Sequence, residues 1–311
     1  MLSVWHKVRG EKGPEKLLFM KTHLDRYFRE DFLGRQPTTV KAHKLWLGRF
    51  FDRVGSKVDA RSYADWVAYA FATWGERTAR NFAIAASSRF LNWCERQQLI
   101  DQSPHKLVRL PEPQQHDPRE PFTEAEYSSL MRVADETDPD LGWAIRLGWE
   151  CGTAIADACL LQWSAVDLPA AVLKLRRRKT GEPCLIPLVP DGKVLSGLWE
   201  LSALPRTAAW PNNPPVIYVL PRLAADYLVA LKSGSAGLQK RFARVRGLAL
   251  PGCEKSFHNL RASFCSALAN GGMNLAAACR LSGHRDPRIF QQYVTADVDQ
   301  LREQMMKARV G

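Results

Sequence analysis

Four side chains in the last third of the chain have the types needed to transfer a phosphate ester. They are His258, Arg261, His284 and Tyr293. His258 and Arg261 stand three residues apart at a predicted helix start, so both project from one helix face. A phenol ionises only near pH ~10, so a tyrosine attacks well only when a base accepts its proton and cations stabilise the developing charge. Histidine and arginine are the residue types that supply these two functions.

Each of these residues is commonplace by itself. A lone His-x-x-Arg is usually a surface pair, Tyr293 alone could be an interface aromatic, and His284 alone could be a buried histidine. Lys179 could be one more charge in the run from Arg176. Their joint order and spacing, with Tyr293 nine residues after His284, favour an active site.

In that order and spacing the chain resembles the tyrosine recombinases, the phage integrase family. Phe-His-Asn-Leu-Arg at 257–261 resembles the His-x-x-Arg box, and Leu-Ser-Gly-His at 281–284 followed by Tyr293 resembles the second histidine and the nucleophile. Lys179, in Arg-Arg-Lys-Thr-Gly-Glu, stands where the family has its β-hairpin lysine. The resemblance covers the whole chain and implies a mainly α fold with a small antiparallel β-sheet, as a helical core-binding domain followed by a catalytic domain.

The segment 151–163 resembles the family box that normally supplies a first arginine and an acidic residue. Asp157 provides the acidic residue in a supporting role. The arginine position is occupied by Ala154, and a methyl group cannot replace a guanidinium. Losing one preorganised charged donor costs on the order of 10²–10³ in rate.

The resemblance implies a role for each residue that is present. Arg261 holds two phosphate oxygens in its planar fork, and His258 accepts the tyrosine proton or hydrogen-bonds the phosphate. His284 donates a second hydrogen bond to a non-bridging oxygen, and Lys179 protonates the leaving 5′-oxygen. The product is a 3′-phosphotyrosine at Tyr293 that another strand can reverse without ATP, a metal ion or any cofactor.

Ala154 leaves three explanations open. It could be an engineered substitution that traps a DNA complex, a natural variant that draws an arginine from elsewhere, or a sign of a protein kept only for binding. The intact flanking residues favour engineering or a recent single loss, and Arg146 or Arg285 are candidates for a replacement. If nothing replaces the arginine, Ala154→Arg is expected to raise cleavage by roughly 10²-fold.

The linker between the two predicted domains is marked by proline. Residues 101–121 contain five prolines, which neither continue a helix nor donate to a β-ladder. Thr123 and Glu126 then form a capping-box pattern that starts the next helix. We therefore expect an N-terminal DNA-binding domain at 1–110, a linker at 111–121 and a catalytic domain at 122–311.

Helical periodicity fills most of both domains. In the first, helices are predicted at 14–33, 38–54, 61–74 and 77–99, the last with Phe82, Ala86, Phe90 and Trp93 on one apolar stripe. Between Trp163 and Leu188, short β-prone runs flank a Lys-Thr-Gly-Glu turn. Helices of the second domain are predicted near 123–136, 140–151, 155–162, 193–202, 237–248, 258–270, 274–281, 287–294 and 297–309.

Charge favours a polyphosphate partner, and the resemblance implies that this partner is duplex DNA with recombination sites. The chain has a formal net charge of +12, of which residues 1–110 hold +9. Base reading is predicted for polar side chains near the starts of the second and fourth helices: Thr39, Lys41, Lys44, Arg77, Arg80 and Asn81.

Composition excludes several other classes. With 46% hydrophobic and 24% charged residues, the composition is typical of a globular protein. The sequence shows no transmembrane stretch and no signal peptide, so we expect a cytoplasmic location without membrane contact. The seven scattered cysteines lack zinc-site spacing and are expected to be reduced and mostly buried.

By resemblance, four protomers would assemble on two attachment sites and exchange strands through a Holliday junction, with accessory DNA-bending proteins as an option. The terminal helix would pack on its own domain or on a neighbour. Two rivals remain. A type IB topoisomerase shares the chemistry but relaxes supercoils as a monomer, and a DNA-binding protein without activity would occupy recombination sites.

Overall fold

The computed structural model describes most of the chain in five ranges. These are residues 14–55, 58–113, 119–203, 217–233 and 237–294, together with residues 302, 305 and 306. The chain divides into two compact units between residues 114 and 115. The predicted helix at 297–309 falls almost entirely outside the described residues.

The first unit is helical. Its helices are α1 (Pro14–Asp31), α2 (Pro37–Val54), α3 (Ala60–Thr78) and α4 (Ala85–Arg96), with a π-helical turn at Ala79–Ile84 and a 3₁₀ turn at Pro104–Leu107. Its core is aromatic: Tyr27 packs edge-on against Phe90, with ring centroids 5.2 Å apart, and Phe50 packs edge-on against Trp66 at 5.4 Å. Such edge-to-face pairs add to the burial of large apolar surfaces.

Gly75 separates the two helices that the sequence predicted around it. Its φ of 70° and ψ of 166° are non-helical and suit glycine, so the chain kinks there within α3. The π-helical turn that follows was not predicted, and it corrects the apolar stripe. Phe82 is 48% exposed, whereas Phe90 is buried. A π turn inserts an extra residue into the helical repeat, so Phe82, which lies within the turn, is rotated off the face that α4 buries.

The second unit is helical around one small sheet. Its helices are α5 (Glu124–Thr137), α6 (Pro139–Cys151), α7 (Ile155–Cys159), α8 (Lys193–Ala203), α9 (Pro221–Ser233), α10 (Gly237–Ala249), α11 (His258–Asn270), α12 (Leu275–Ser282) and α13 (Pro287–Gln291). The capping box at Thr123 and Glu126 is present.

Three predictions in this unit need correction. Helix α9 was missed, although Pro221 in its first turn is compatible with a helix start. Helix α7 ends at Cys159 rather than 162, because Gln162 leaves the helix to form a β-bridge with Tyr218. Helix α13 ends at Gln291, so Tyr293 follows the helix instead of lying within it.

The sheet has the predicted antiparallel form. Strands β1 (Val166–Asp167), β2 (Val172–Arg176) and β3 (Pro183–Pro187) lie in sequence order, and Leu173 pairs with Ile186. Alternate residues of β2 and β3 are buried, as expected for a sheet with one face on a core. The hairpin turn between these strands spans 178–180.

The described residues also bear on membrane contact and cysteine chemistry. None of the helices they form is both long and apolar enough to cross a bilayer. All seven cysteines are free, and six are buried, as predicted.

A left-handed glycine fixes the start of the segment that holds Ala154. Gly152 caps helix α6 with φ 58° and ψ 28°. A β-carbon on Gly152 would overlap the ring of Phe264 on α11. Residues 152–154 can therefore lie against α11 only because residue 152 has no side chain.

We expect Gly152→Ala to destabilise the second unit. The left-handed conformation costs an alanine about 1–2 kcal/mol, and overpacking against Phe264 adds roughly 1–3 kcal/mol. Gly247→Ala is the matched control, since Gly247 is helical and an added β-carbon meets nothing within 4 Å. That change should stabilise by roughly 0.5–1 kcal/mol. Urea denaturation of both variants measures this, and equal stability for the two would contradict the packing described.

Candidate active site

The folded second unit brings together residues that are up to 35 positions apart. His258 begins α11, and Tyr293 follows α13. Their side chains meet: His258 Nε2 lies 2.8 Å from the Tyr293 hydroxyl, a hydrogen-bond distance. The nucleophile and base predicted from the sequence are thus in direct contact.

Arg261 lies beside this pair, one helical turn after His258, and is only 7% exposed. Its Nη1 donates to the Gly152 carbonyl at 2.7 Å, and its Nη2 donates to the Ser282 carbonyl at 2.5 Å. Burial lowers the pKa of Arg261, and the nearby charge of Arg177 lowers it further. An arginine stays protonated even so, so the site holds a permanent buried positive charge.

His284 contacts the same guanidinium. Arg261 Nη2 is 3.1 Å from His284 Nε2, and a guanidinium can only donate, so Nε2 is the acceptor. The proton of the neutral ring is therefore on Nδ1, which lies 2.8 Å from the Ser282 hydroxyl. Burial, then the charges of Arg261 and Arg177, lower the pKa of His284 to about 3.

His258 is also neutral near pH 7. Burial lowers its pKa to about 4, and the charges of Arg119, Arg261 and Lys179 act in the same direction. A neutral imidazole beside a tyrosine hydroxyl can accept its proton. His258 is thus held in the form that could accept a proton.

Lys179 is exposed in the turn of the β2–β3 hairpin. Its charge is one of those that lower the pKa of His258. An exposed lysine on a hairpin turn can move toward a bound ligand, unlike the buried Arg261. Lys179 is therefore near the site without being fixed in it.

Asp157 and Ala154 both lie at the start of α7. Ala154 is the N-cap residue and gives no side-chain hydrogen bond, so no charge comes from this position. Asp157 Oδ1 accepts from the Arg178 amide at 3.1 Å, and Asp157 Oδ2 lies 3.4 Å from Arg177 Nη1. The predicted supporting residue thus fastens the hairpin to α7.

Arg177 was missed in the sequence, although it is only 4% exposed. The sequence treats it as part of a charged run, which usually indicates a solvated surface. The signal that could have found it is the two-residue period of the strand: Leu173 and Leu175 face inward, and residue 177 continues the same face.

The two arginines suggested as replacements for the missing one are engaged elsewhere. Arg146 donates to both carboxylate oxygens of Asp135, at 2.8 and 2.6 Å. Arg285 pairs with Glu182. Both guanidinium groups are therefore bound to carboxylates in this structure.

The predicted base-reading residues of the first unit lie on its surface. Thr39 and Asn81 line one cleft of about 390 Å³, which also includes Arg89. Lys41 and Arg77 are exposed, and the Lys44 ammonium lies 5.0 Å from the centre of the Phe28 ring. The Arg80 guanidinium is already hydrogen-bonded within the first unit: it donates to Glu76 at 2.8 Å and to the Pro111 carbonyl.

Two solved structures of lambda integrase have a fold similar to that of this chain. A lambda integrase fragment (residues 75–356), as a dimer bound to a core site, superposes with a TM-score of 0.68 at 17% identity, covering 88% of this chain and 95% of that one. A lambda integrase tetramer bound to a Holliday junction gives a TM-score of 0.68 at 17% identity, covering 94% and 85%. These likenesses concern the fold.

Relatives in sequence lead to the same family. The tyrosine recombinase XerA of Pyrococcus horikoshii is 24% identical over 277 residues, which cover 89% of this chain and 90% of that protein. The model of the phage integrase family matches residues 120–300, which is more than half of the chain and includes every residue of the site described above. The chain therefore belongs to the phage integrase family, the tyrosine recombinases.

Proposed function

We propose that this protein is a site-specific recombinase that cleaves and rejoins duplex DNA through a 3′-phosphotyrosine at Tyr293. The observation that supports this best is the 2.8 Å contact between the Tyr293 hydroxyl and His258 Nε2, beside the buried Arg261. A nucleophile and a neutral base in contact, with a fixed cation nearby, are the parts that attack on a phosphodiester needs.

These three groups carry out the attack on phosphorus. His258 accepts the phenolic proton as the Tyr293 oxygen bonds to phosphorus. Arg261 has five N–H donors, of which three are engaged with Gly152, Ser282 and His284. Its remaining donors and its charge stabilise the non-bridging oxygens as negative charge develops on them.

Departure of the leaving group needs a proton, because an alkoxide is too basic to leave alone. Lys179 on its exposed turn is the acid we assign to the 5′-oxygen. His284 holds Arg261 in place in the DNA-free chain. Donation from His284 to a phosphate oxygen would need the ring proton to move to Nε2. The step keeps the ester energy in the phosphotyrosine, so rejoining uses a 5′-hydroxyl and neither ATP nor metal.

The assembly we propose is a homotetramer on two recombination sites, with strand exchange through a Holliday junction. The support is the fold shared with a lambda integrase whose tetramer is bound to a Holliday junction. The cationic first unit and the polar residues around the Thr39 and Asn81 cleft would contact the DNA. The proposal also includes docking of the segment 297–309 on its own domain or on a neighbour, accessory DNA-bending proteins as an option, and a cytoplasmic location.

The first prediction concerns the nucleophile. A duplex pool with a random central segment is enriched by binding to the full chain with Tyr293→Phe, and the enriched duplex is then nicked to trap a covalent adduct. We expect the unaltered chain to form a 3′-phosphotyrosine and Tyr293→Phe to form none, with equal DNA affinity, since the phosphate contacts do not involve the hydroxyl.

Binding in that experiment should weaken steeply with salt, because it displaces counterions. Adduct formation by Tyr293→Phe would show that another residue is the nucleophile. Supercoil relaxation by a monomer at any sequence would favour the topoisomerase rival. Tight, selective binding with no adduct would favour the binding protein.

The second prediction concerns pH. The pKa of His258 is lowered from its ordinary value of 6.5 to about 4. The ring therefore stays neutral at pH values well below 6.5. Cleavage at subsaturating DNA should therefore change little between pH 7.5 and 5.5, while a base with ordinary pKa would lose about tenfold. Single-turnover rates with binding measured at each pH check this. A rate that halves near pH 6.5 would contradict the buried state of His258.

The third prediction concerns base reading. Arg77→Ala should alter which duplexes are enriched and cost about 1–3 kcal/mol on the preferred one. Arg61→Ala removes the same charge from an exposed position in the first turn of α3. That control should weaken all sequences uniformly and lower the salt slope by about 1. Unchanged site preference with Arg77→Ala would remove Arg77 from the reading surface.

A further inference from the structure

Arg177 is a buried cation with two unused hydrogen-bond donors. It is 4% exposed, and its Nη1 lies 3.4 Å from Asp157 Oδ2. Its Nε and Nη2 are buried and meet no acceptor among the described residues. Buried N–H groups are almost always paired, so two orphans on one guanidinium need an explanation.

The two orphaned atoms lie on the same edge of the guanidinium. Nε and Nη2 form its side-on fork, whose parallel N–H bonds fit two oxygens of a phosphate or carboxylate. Asp157 occupies only the opposite corner, through Nη1. The unused edge is thus the shape of an oxyanion-binding group.

Arg177 also lies in the site described above. A β-carbon on Gly283 would come within 2.9 Å of Arg177 Cγ and 3.1 Å of its Nε, so the side chain passes against the residue that precedes His284. Its charge lowers the pKa of both Arg261 and His284. Two guanidinium groups held close together without an anion repel each other, and an anion between them would relieve that repulsion.

Arg177 is bonded to the short helix that begins next to Ala154. Its partner Asp157 is one helical turn from Ala154, at the start of the same short helix. Arg261 in turn bonds the carbonyl of Gly152, two residues before Ala154. An arginine side chain at 154 would begin where these two guanidinium groups approach the α7 start.

We propose that Arg177 is the second phosphate-binding arginine of this enzyme and replaces, from the end of strand β2, the guanidinium that Ala154 lacks. Its Nε and Nη2 donate to a non-bridging oxygen of the scissile phosphate while Nη1 stays on Asp157. The inference rests on the proposed cleavage by Tyr293. In this proposal the guanidinium that the family has at position 154 is supplied from position 177. Two cations of the site, Arg177 and Lys179, are then carried by one hairpin.

The test is a transfer of the guanidinium between the two positions. Full-length chains with Arg177→Gln, Ala154→Arg and both changes are compared on the enriched nicked duplex. Arg177→Gln should lower the rate of adduct formation by about 10²–10³-fold with DNA affinity within a few fold. Arg178→Gln is the matched control: residue 178 is exposed and bonds Asp157 through its backbone amide, so its rate should stay near that of the unaltered chain.

The other two chains decide whether position matters. With Arg177 already in the site, Ala154→Arg alone should change the rate by less than about tenfold, in place of the roughly 10²-fold gain expected from the sequence. In the Arg177→Gln background, Ala154→Arg should raise the rate at least about tenfold. A purely structural Arg177 would show no such rescue, because an arginine at 154 does not restore the hairpin contact.

The outcomes separate this inference from the proposed function. If the unaltered chain forms the adduct and Arg177→Gln forms it within about threefold of that rate, the inference is wrong and the function stands. If only Ala154→Arg forms adduct, Arg177 does not replace the missing arginine. If no chain forms adduct, the proposed function fails.

A more conservative substitution tests the proposal if Arg177→Gln prevents folding. If Arg177→Gln melts below the assay temperature, Arg177→Lys keeps the charge and the Asp157 contact but loses the side-on fork. A rate at least about tenfold lower with unchanged DNA affinity would then support the inference, and an unchanged rate would overturn it.

Discussion

Burying a guanidinium costs free energy unless its donors are paired, and the pairing of Arg261 organises the second unit. Its hydrogen bonds reach the carbonyl of Gly152 at the end of α6 and the carbonyl of Ser282 at the end of α12. Leaving either bond unmade would strand a charged donor away from water, at a cost of several kcal/mol. The two helix ends are therefore held around one side chain, and the segment carrying Ala154 and the loop carrying His284 are placed by it.

The same constraint sets the electrostatics of the site. The charge of Arg261 adds to burial in lowering the pKa of both His258 and His284, and the charge of Arg177 acts in the same direction on His284. A region with fixed cations and neutral bases is costly to maintain empty and favours an anion that develops charge. Under the proposed function, these groups would need little rearrangement when charge develops on a phosphate ester.

Local rules predicted most elements but failed where tertiary packing or an inserted residue changed the register. The capping box at Thr123 marked the start of α5, because side-chain and backbone partners three residues apart are visible in sequence. The π-helical turn at Ala79–Ile84 has no comparable signal, and it moved Phe82 off the apolar stripe. The premature end of α7 depends on a bridge between Gln162 and Tyr218, 56 residues away, which no local pattern contains.

The types and order of the reacting groups are properties of the sequence, and it determined them alone: tyrosine, two histidines, one arginine, a hairpin lysine and the absence of arginine at 154. Which other arginine could serve was decided only by the tertiary structure. Nothing in the sequence distinguishes Arg146 and Arg285 from Arg177. In the structure, Arg146 and Arg285 bond Asp135 and Glu182, respectively. Arg177 is buried and lies against Asp157. The reason is physical: a charge acts over a few ångströms through a dry interior, and distance in the fold is not distance along the chain.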